Sequence, residues 1–120
     1  PSIDAVALPD GASELLKAMP DSVLNYARTK ADASTTWSST SPVEEYALTY
    51  STGKKGQDVT LEVGQWNDGD KAKSQYDTLA EAMTGKELGS GNVKVSGKTV
   101  VFYATGAKND IQRFYQQFPL

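Results

Sequence analysis

The chain has 120 residues, a formal net charge of -3, and neither histidine nor cysteine. This length supports one hydrophobic core but not two, so we expect a single domain over residues 1–120. The missing residue types exclude disulfides, zinc sites with the usual ligands, and catalytic triads built on an imidazole or a thiolate. Scattered basic residues argue against nucleic acid as a partner, and no apolar run approaches the ~20 residues that span a membrane. We therefore expect no cofactor, no metal site and no membrane span.

A short helix is predicted near the start of the chain. In DGASELLKAM, residues 10–19, Asp10 is placed to cap the helix and Pro20 to end it. The apolar stripe of this helix consists of Leu15, Leu16 and Met19.

The segment between this helix and the first clear strand is less regular. Residues 21–30 fit a helix or an extended segment equally well. Residues 31–42 are rich in Ser and Thr and close on a proline, which predicts a loop. We therefore expect residues 1–42 to form an N-terminal helix and a Ser/Thr-rich loop beside a core formed by residues 43–120.

Two strands are predicted over residues 43–50 and 57–66. Apolar and polar residues alternate in VEEYALTY and again in QDVTLEVGQW. The polar connection STGKKG joins them, and such alternation is typical of an antiparallel sheet with one solvated face. The residues expected to face the core are Tyr46, Leu48, Tyr50, Val59, Leu61 and Val63.

An amphipathic helix is predicted next, over residues 68–83. Asp68 or Asp70 is placed to cap this helix and Gly85 to end it. Its apolar stripe is formed by Ala72, Tyr76, Leu79, Ala80 and Met83.

The last third of the chain repeats this order of elements. Val93 and Val95 alternate with polar residues, Gly97 turns the chain, and TVVFY, residues 99–103, returns as a strand. A final helix over residues 107–118 carries Ile111, Phe114, Tyr115 and Phe118 on one side. The ββα-ββα pattern predicts an α+β fold, a two-layer sandwich in which a four-stranded antiparallel sheet has its helices on one face, plus the N-terminal helical segment.

Gly97-Lys98-Thr99 matches part of a phosphate-binding loop. The complete motif, GxxxxGK[ST], needs a glycine where this chain has Asn92, and it needs a helix directly after the loop. The run that follows here is β-branched and aromatic, which predicts a strand. We therefore expect a hairpin turn with Lys98 exposed and no binding of nucleotides.

Several short motifs lie between residue 8 and about residue 105. They are Leu8-Pro9, MPDSV at 19–23, YART at 26–29, the strand over 46–50, and VTLEVGQW with Ala72 and Tyr76 behind it. Together they resemble an uncharacterised type of small secreted or lipid-anchored domain of actinobacteria. The resemblance implies an exported domain without a known catalytic residue. The lipid-bearing cysteine usual in anchored members is missing from this chain.

Asn67-Asp68-Gly69-Asp70 places two carboxylates beside a glycine, as calcium loops do. A calcium loop needs oxygen ligands at alternating positions over about twelve residues and a late bidentate glutamate. Capping of the following helix explains Asp68 and Asp70 better.

Glu44, Glu45 and Glu62 are the candidates for paired carboxylates of the kind that glycoside hydrolysis requires. Adjacent residues such as Glu44 and Glu45 point to opposite faces of a strand. A solvated sheet face is therefore the favoured interpretation of these side chains.

Trp37 and Trp66 are the candidate binding residues. Trp66 shares strand parity with polar residues such as Glu62, so a regular strand leaves its indole on the solvated face as a binding aromatic. The alternative, which we favour, is that the strand bends at Gly64, since a glycine in a strand often marks a bulge, and that Trp66 packs under the following helix. Trp37 is either an exposed anchor on its loop or the residue that pins this loop to the core.

From these features we expect a non-catalytic extracytoplasmic module, secreted or attached to the cell envelope, that binds a protein or a small ligand as a monomer or weak dimer. Its binding surface is expected on the open face of the sheet or on the loop around Trp37. The alternative is a small ligand-binding domain or enzyme with an apolar pocket that relies on Tyr and carboxylates. This alternative requires a Tyr, Glu or Asp with a perturbed pKa inside a cavity.

Overall fold

The computed structural model describes residues 2–83, 91–96, 99–106 and 108–119. The helices are α1 (Glu14–Lys17), α2 (Gly69–Met83) and α3 (Lys108–Gln117), and residues Ser38–Thr40 form a single 3-10 turn. The strands are β1 (Ser22–Val23), β2 (Tyr26–Ala33), β3 (Glu44–Ser51), β4 (Asp58–Gln65), β5 (Gly91–Ser96) and β6 (Val100–Thr105). These strands form one curled antiparallel sheet in the order β1-β2-β3-β4-β6-β5.

The α+β class and the antiparallel sheet are confirmed, but the prediction of four strands is wrong. Five strands of six to eight residues form the sheet, and β1, with two residues, extends it at one edge. The additional long strand, β2, lies where the sequence left helix and extended segment open and where it predicted the start of a loop. Its first three residues are all buried, and its pairing with β3 shifts register between Arg28 and Lys30. This strand therefore lacks the alternation by which a strand is recognised.

The first helix is shorter than predicted. Ser13, not Asp10, is its N-cap, and the Ser13 hydroxyl accepts a hydrogen bond from the backbone N–H of Leu16 at 3.1 Å. Gly11 has a φ of 75°, which is outside the helical region and sets the start of the helix after it. The predicted apolar residues Leu15, Leu16 and Met19 are buried.

Arg28 holds the N-terminal segment against the sheet. Its side chain is 2% exposed and donates to the carbonyl oxygens of Val6 and Pro20, and it pairs with Asp21 at 3.0 Å. The Tyr50 hydroxyl donates to the same Pro20 carbonyl at 2.8 Å. Burial of this cation is tolerated because carbonyl and carboxylate oxygens surround it.

The helices lie on both faces of the sheet, so the prediction that they share one face is wrong. Val101 and Phe102 are neighbours in β6 and point to opposite faces. Phe102 stacks on Tyr115 of α3, with ring centroids 5.4 Å apart, whereas Val101 belongs to a separate buried cluster with Ala72 of α2. β6 is apolar on both faces for this reason, and VVFYA reads as a continuous apolar run rather than an alternating one.

Most of the predicted core is confirmed. Leu48, Tyr50, Val59, Leu61, Val63, Ile111, Phe114 and Phe118 are buried. Tyr46, Tyr76 and Leu79 are half-buried and pack at the edges of the two clusters. The side chain of Met83 lies outside the described residues.

The hairpin of β5 and β6 agrees with its prediction. The two strands pair antiparallel, and Ser96 is the partner of Val100. A strand, not a helix, therefore follows the Gly-Lys-Thr sequence. The turn itself, with Gly97 and Lys98, lies outside the described residues, as does the predicted helix end at Gly85.

Candidate functional site

The two tryptophans are packed together on the α2 face of the sheet. Their rings stack with centroids 6.0 Å apart and planes inclined by 24°. Trp37 is 5% exposed and Trp66 is 1% exposed. Trp66 thus packs under α2, as favoured, and Trp37 pins its loop to the sheet, so neither indole is a solvent-exposed anchor.

Gly64 makes room for these rings. The β3–β4 register runs without interruption from Glu44 opposite Gln65 to Ser51 opposite Asp58, so the predicted bulge at Gly64 is wrong. A Cβ at Gly64 would lie 2.9 Å from Cη2 of Trp66 and 3.1 Å from Cε3 of Trp37. The glycine is required by the close approach of the indoles, not by an irregular strand.

Hydrogen bonds tie the Ser/Thr loop, residues 34–43, to both α2 and the sheet. The Trp66 Nε1–H donates to the carbonyl oxygen of Thr40 at 3.0 Å, and the Thr40 hydroxyl donates to Oε1 of Gln75 in α2 at 2.9 Å. Gln75 is buried, so this contact satisfies a polar group that the helix brings into the cluster. The loop is therefore part of the folded layer on this face.

Glu45 fixes the start of the same loop. Its carboxylate is 5% exposed, and each of its two oxygens lies 3.1 Å from the backbone nitrogen of Trp37, which donates to them. The Ser34 hydroxyl donates to the same carboxylate at 3.3 Å. The interpretation of Glu45 as a residue of a solvated face is therefore wrong, because the Ser/Thr loop covers it.

Glu62 lies diagonally across the strand pair from Glu45. Glu45 is opposite Gly64 and Glu62 is opposite Ala47, which places the two side chains on the same face within reach of each other. Burial raises the pKa of Glu62 to about 8, and a hydrogen bond with Glu45 is the second cause. Glu62 is therefore mostly protonated at neutral pH. We refer to Glu45 and Glu62 as the carboxyl pair.

A cleft of about 290 Å³ opens beside Glu62. The Ser/Thr loop forms one wall, α2 another, and β4 and β6 the floor. Its lining consists of Thr36, Trp37, Thr60, Glu62, Leu79, Tyr103 and Thr105. Aromatic and aliphatic surface thus meets hydroxyl groups and one carboxyl group in a single concave site.

A second depression, of about 340 Å³, lies along the outer side of the Ser/Thr loop. All of its lining residues fall between Ala33 and Tyr46, so a ligand there would contact one continuous stretch of chain. The cleft beside Glu62 combines four elements and a titratable group with a shifted pKa, which makes it the better candidate site.

The Asp68–Asp70 sequence caps α2, as predicted. Oδ1 of Asp68 accepts a hydrogen bond from the backbone N–H of Asp70 at 2.8 Å. Across the described ranges, no group of three or more metal-ligating side chains is close enough to hold an ion. None of the helices in these ranges has the length and apolarity that crossing a bilayer requires.

The sequence pointed to Trp37 and Trp66, and it named Glu45 and Glu62 as candidate paired carboxylates but favoured a solvated face for them. It did not predict the cleft. The signal that was present is the parity of Trp66 with Glu62, since an indole on a polar face indicates that something covers that face. No family model, curated protein or solved structure matches this chain. The actinobacterial resemblance stays a hypothesis.

Proposed function

We propose that this chain is a non-catalytic binding module that takes a small uncharged ligand in the cleft beside Glu62. The observation that carries the proposal is the meeting of Trp37, Leu79 and Tyr103 with hydroxyl groups in one cavity of about 290 Å³. This volume is at the lower end of ligand pockets, which span roughly 300–1,000 Å³. A ligand with one apolar ring face and one or two hydroxyl or carbonyl groups fits this size and lining.

The polar side of the cleft favours an uncharged ligand. Thr60 and Thr105 are direct partners across β4 and β6, so their hydroxyls lie side by side and can donate or accept. Glu62, opposite Tyr103, carries a proton at neutral pH and therefore adds no negative charge to the cleft. The described lining of the cleft then carries no full charge, so a ligand needs no opposite charge to bind there.

The arrangement supports binding rather than glycoside hydrolysis. That reaction uses two carboxyl groups on either side of the scissile bond. Of the described residues that line the cleft, Glu62 alone carries a carboxyl group. Glu45 lies behind it, bonded to the Trp37 N–H and 5% exposed.

A second candidate is a small enzyme in which Glu62 is a general acid. The raised pKa of Glu62 beside a cleft favours it, because general acids work best with a pKa near the operating pH. Turnover of p-nitrophenyl β-D-glucopyranoside that disappears in Glu62→Gln would establish this function in place of the first.

Binding is tested by nuclear magnetic resonance titration with p-cresol and with methyl β-D-glucopyranoside. We expect one of the probes to shift the backbone signals of Thr60, Tyr103 and Thr105 with millimolar affinity. Leu79→Asp should abolish these shifts, while Ser38→Ala, in the second depression, should leave them unchanged. Shifts spread evenly over the surface, or none at all for either probe, would overturn the proposal.

The extracytoplasmic location and the monomeric or weakly dimeric state belong to the same proposal. The location is supported by the resemblance to exported domains alone. Fractionation of cells that express the native gene tests the location, and sedimentation velocity at several protein concentrations tests the association state. Recovery in the cytoplasmic fraction, or a stable higher oligomer, would contradict these two parts.

A further inference from the structure

The carboxyl pair contains an oxygen that no ligand can reach. Oε2 of Glu62 is closed off from solvent and has no hydrogen-bond partner among the described atoms. A buried carboxyl oxygen without a donor is costly, so its partner is expected inside the protein. A proton on Glu62 satisfies this oxygen, because the protonated group donates to a carboxylate oxygen of Glu45, the hydrogen bond that raises the pKa of Glu62. The Ser34 hydroxyl also contacts Glu62 and acts in the opposite direction, lowering its pKa.

Among the described residues around Glu62, no cation competes for this proton. Across β6 it faces Tyr103, and across β3 it faces Ala47 with Glu45 diagonally beyond. α2 contributes Leu79 to the same cleft. Charge–charge interaction with Glu45 adds to the effects of burial on Glu62.

The Ser/Thr loop contributes Ser34, Thr36 and Trp37 to the surroundings of the pair, none of which carries a charge. Both carboxylate oxygens of Glu45 accept from the Trp37 N–H, and one also accepts from the Ser34 hydroxyl. Burial and the neighbouring Glu45 raise the pKa of Glu62. The proton is therefore assigned to Glu62.

We propose that one proton shared between Glu62 and Glu45 holds the start of the Ser/Thr loop in place, and that its loss loosens the Thr36–Trp37 wall of the cleft. Two carboxylates close together on one face of the sheet repel each other, and Glu45 is the group that anchors Trp37. Ionisation of Glu62 thus weakens the attachment of the wall. The effect on ligand binding rests on the proposed function of the cleft, whereas the effect on the loop does not.

The chain suits a fluorescence test of this inference. Trp37 and Trp66 are its two tryptophans, they stack on each other, and there is no histidine or cysteine to titrate near neutral pH. We expect a change in tryptophan emission with a midpoint near pH 8, the pKa of Glu62. Glu62→Gln, which keeps a neutral donor beside Glu45, should abolish the change. Glu44→Gln removes a carboxylate from the adjacent position on the opposite face of β3 and should retain it.

A second measurement follows the carboxyl group directly. The side-chain ¹³C signal of Glu62 should titrate near pH 8 in the native protein, and in Glu45→Gln its midpoint should move toward ordinary glutamate values. A Glu62 signal that already titrates in the ordinary glutamate range in the native protein would overturn the inference. An emission change that persists in Glu62→Gln, or a flat native curve between about pH 6 and pH 9, would do the same.

Ligand titrations at two pH values distinguish a failure of this inference from a failure of the proposed function. Titrations with p-cresol and methyl β-D-glucopyranoside at about pH 6.5 and pH 9, on either side of the Glu62 midpoint, should show weaker binding at the higher pH in the native protein but not in Glu62→Gln. Binding that is equal at both pH values overturns the regulation and leaves the binding site intact. Absence of binding at both values overturns the proposed function, and the fluorescence result then decides the loop attachment alone.

Discussion

The indole ring of Trp37 stacks on that of Trp66, at 6.0 Å between centroids, directly above Gly64. Trp37 lies in the Ser/Thr loop and Trp66 directly follows β4. Their contact therefore holds this loop against one face of the sheet. Trp37, Thr36 and Glu62 then form part of the cleft. The stacked pair therefore couples the stability of this face to the shape of the candidate site.

Gly64→Ala should destabilise the protein by about 1–3 kcal/mol, the usual cost of overpacking a well-filled site. The added methyl would lie 2.9 Å from Cη2 of Trp66, and both its neighbours are large rings held by other contacts. Urea unfolding measures the loss. Adding Trp37→Phe to Gly64→Ala should recover part of the lost stability, because the smaller ring leaves room for the added methyl group. A double variant as costly as the sum of the single ones would show that the ring contact is not the cause.

Leu61→Ala should cost roughly 2–5 kcal/mol, because it removes a side chain at the centre of the main core. Leu61 is fully buried, while its neighbour Thr60 is exposed on the other face. Thr60→Ala is therefore the matched control in the same strand and should change the unfolding midpoint little. Equal effects of the two variants would indicate that the register of β4 is wrong.

Stability should fall as pH rises through the Glu62 titration. The pKa of Glu62 is raised in the folded state to about 8, so the folded protein keeps a proton that the unfolded chain releases near the ordinary glutamate value. The stabilisation is complete below that ordinary value, declines above it and is lost once pH passes about 8. Thermal melts should show this decline in the native protein and not in Glu62→Gln. A native melting temperature that does not fall relative to that of Glu62→Gln over this range would contradict it.

Asp68 should act as a helix cap and not as a metal ligand. Asp68→Ala removes the acceptor for the Asp70 N–H and should cost about 0.5–2 kcal/mol, whereas Asp68→Asn keeps an acceptor and should cost less. Melts in EDTA and in millimolar Ca²⁺ should coincide for the native protein. Binding of calcium at a hundredfold excess over its dissociation constant would raise the unfolding free energy by about 2.7 kcal/mol. A rise of this kind in Ca²⁺ that is lost in Asp68→Asn would show that Asp68 belongs to an ion site.

ATP and GTP should not bind in the presence of Mg²⁺. The Gly-Lys-Thr sequence lies between two paired strands, β5 and β6, and lacks the helix whose N-terminus would face a phosphate. Isothermal titration calorimetry should give no heat beyond dilution for the native protein and for Lys98→Ala alike. Micromolar binding that depends on Lys98 would refute the hairpin interpretation.

Local patterns in the sequence were sufficient for the elements whose large apolar side chains keep mainly to one face. β3, β4, α2 and α3 were predicted within two residues of their observed ends, because their apolar residues repeat at the period of a strand or a helix. The alternation of Leu48 and Tyr50 with polar residues likewise identified the main core. The capping role of Asp68 followed from residue type and position alone.

Tertiary contacts decided the features in which both sides of an element are covered. β2 is buried at consecutive positions from Tyr26 to Arg28, and β6 is buried on both faces, so neither shows the simple alternation of a half-exposed strand. The cover over Glu45 and Glu62 comes from a Ser/Thr loop whose own composition predicts only a solvated connection. Whether a carboxyl group lies in water or under an indole depends on which distant segments fold over it, and burial then sets its protonation.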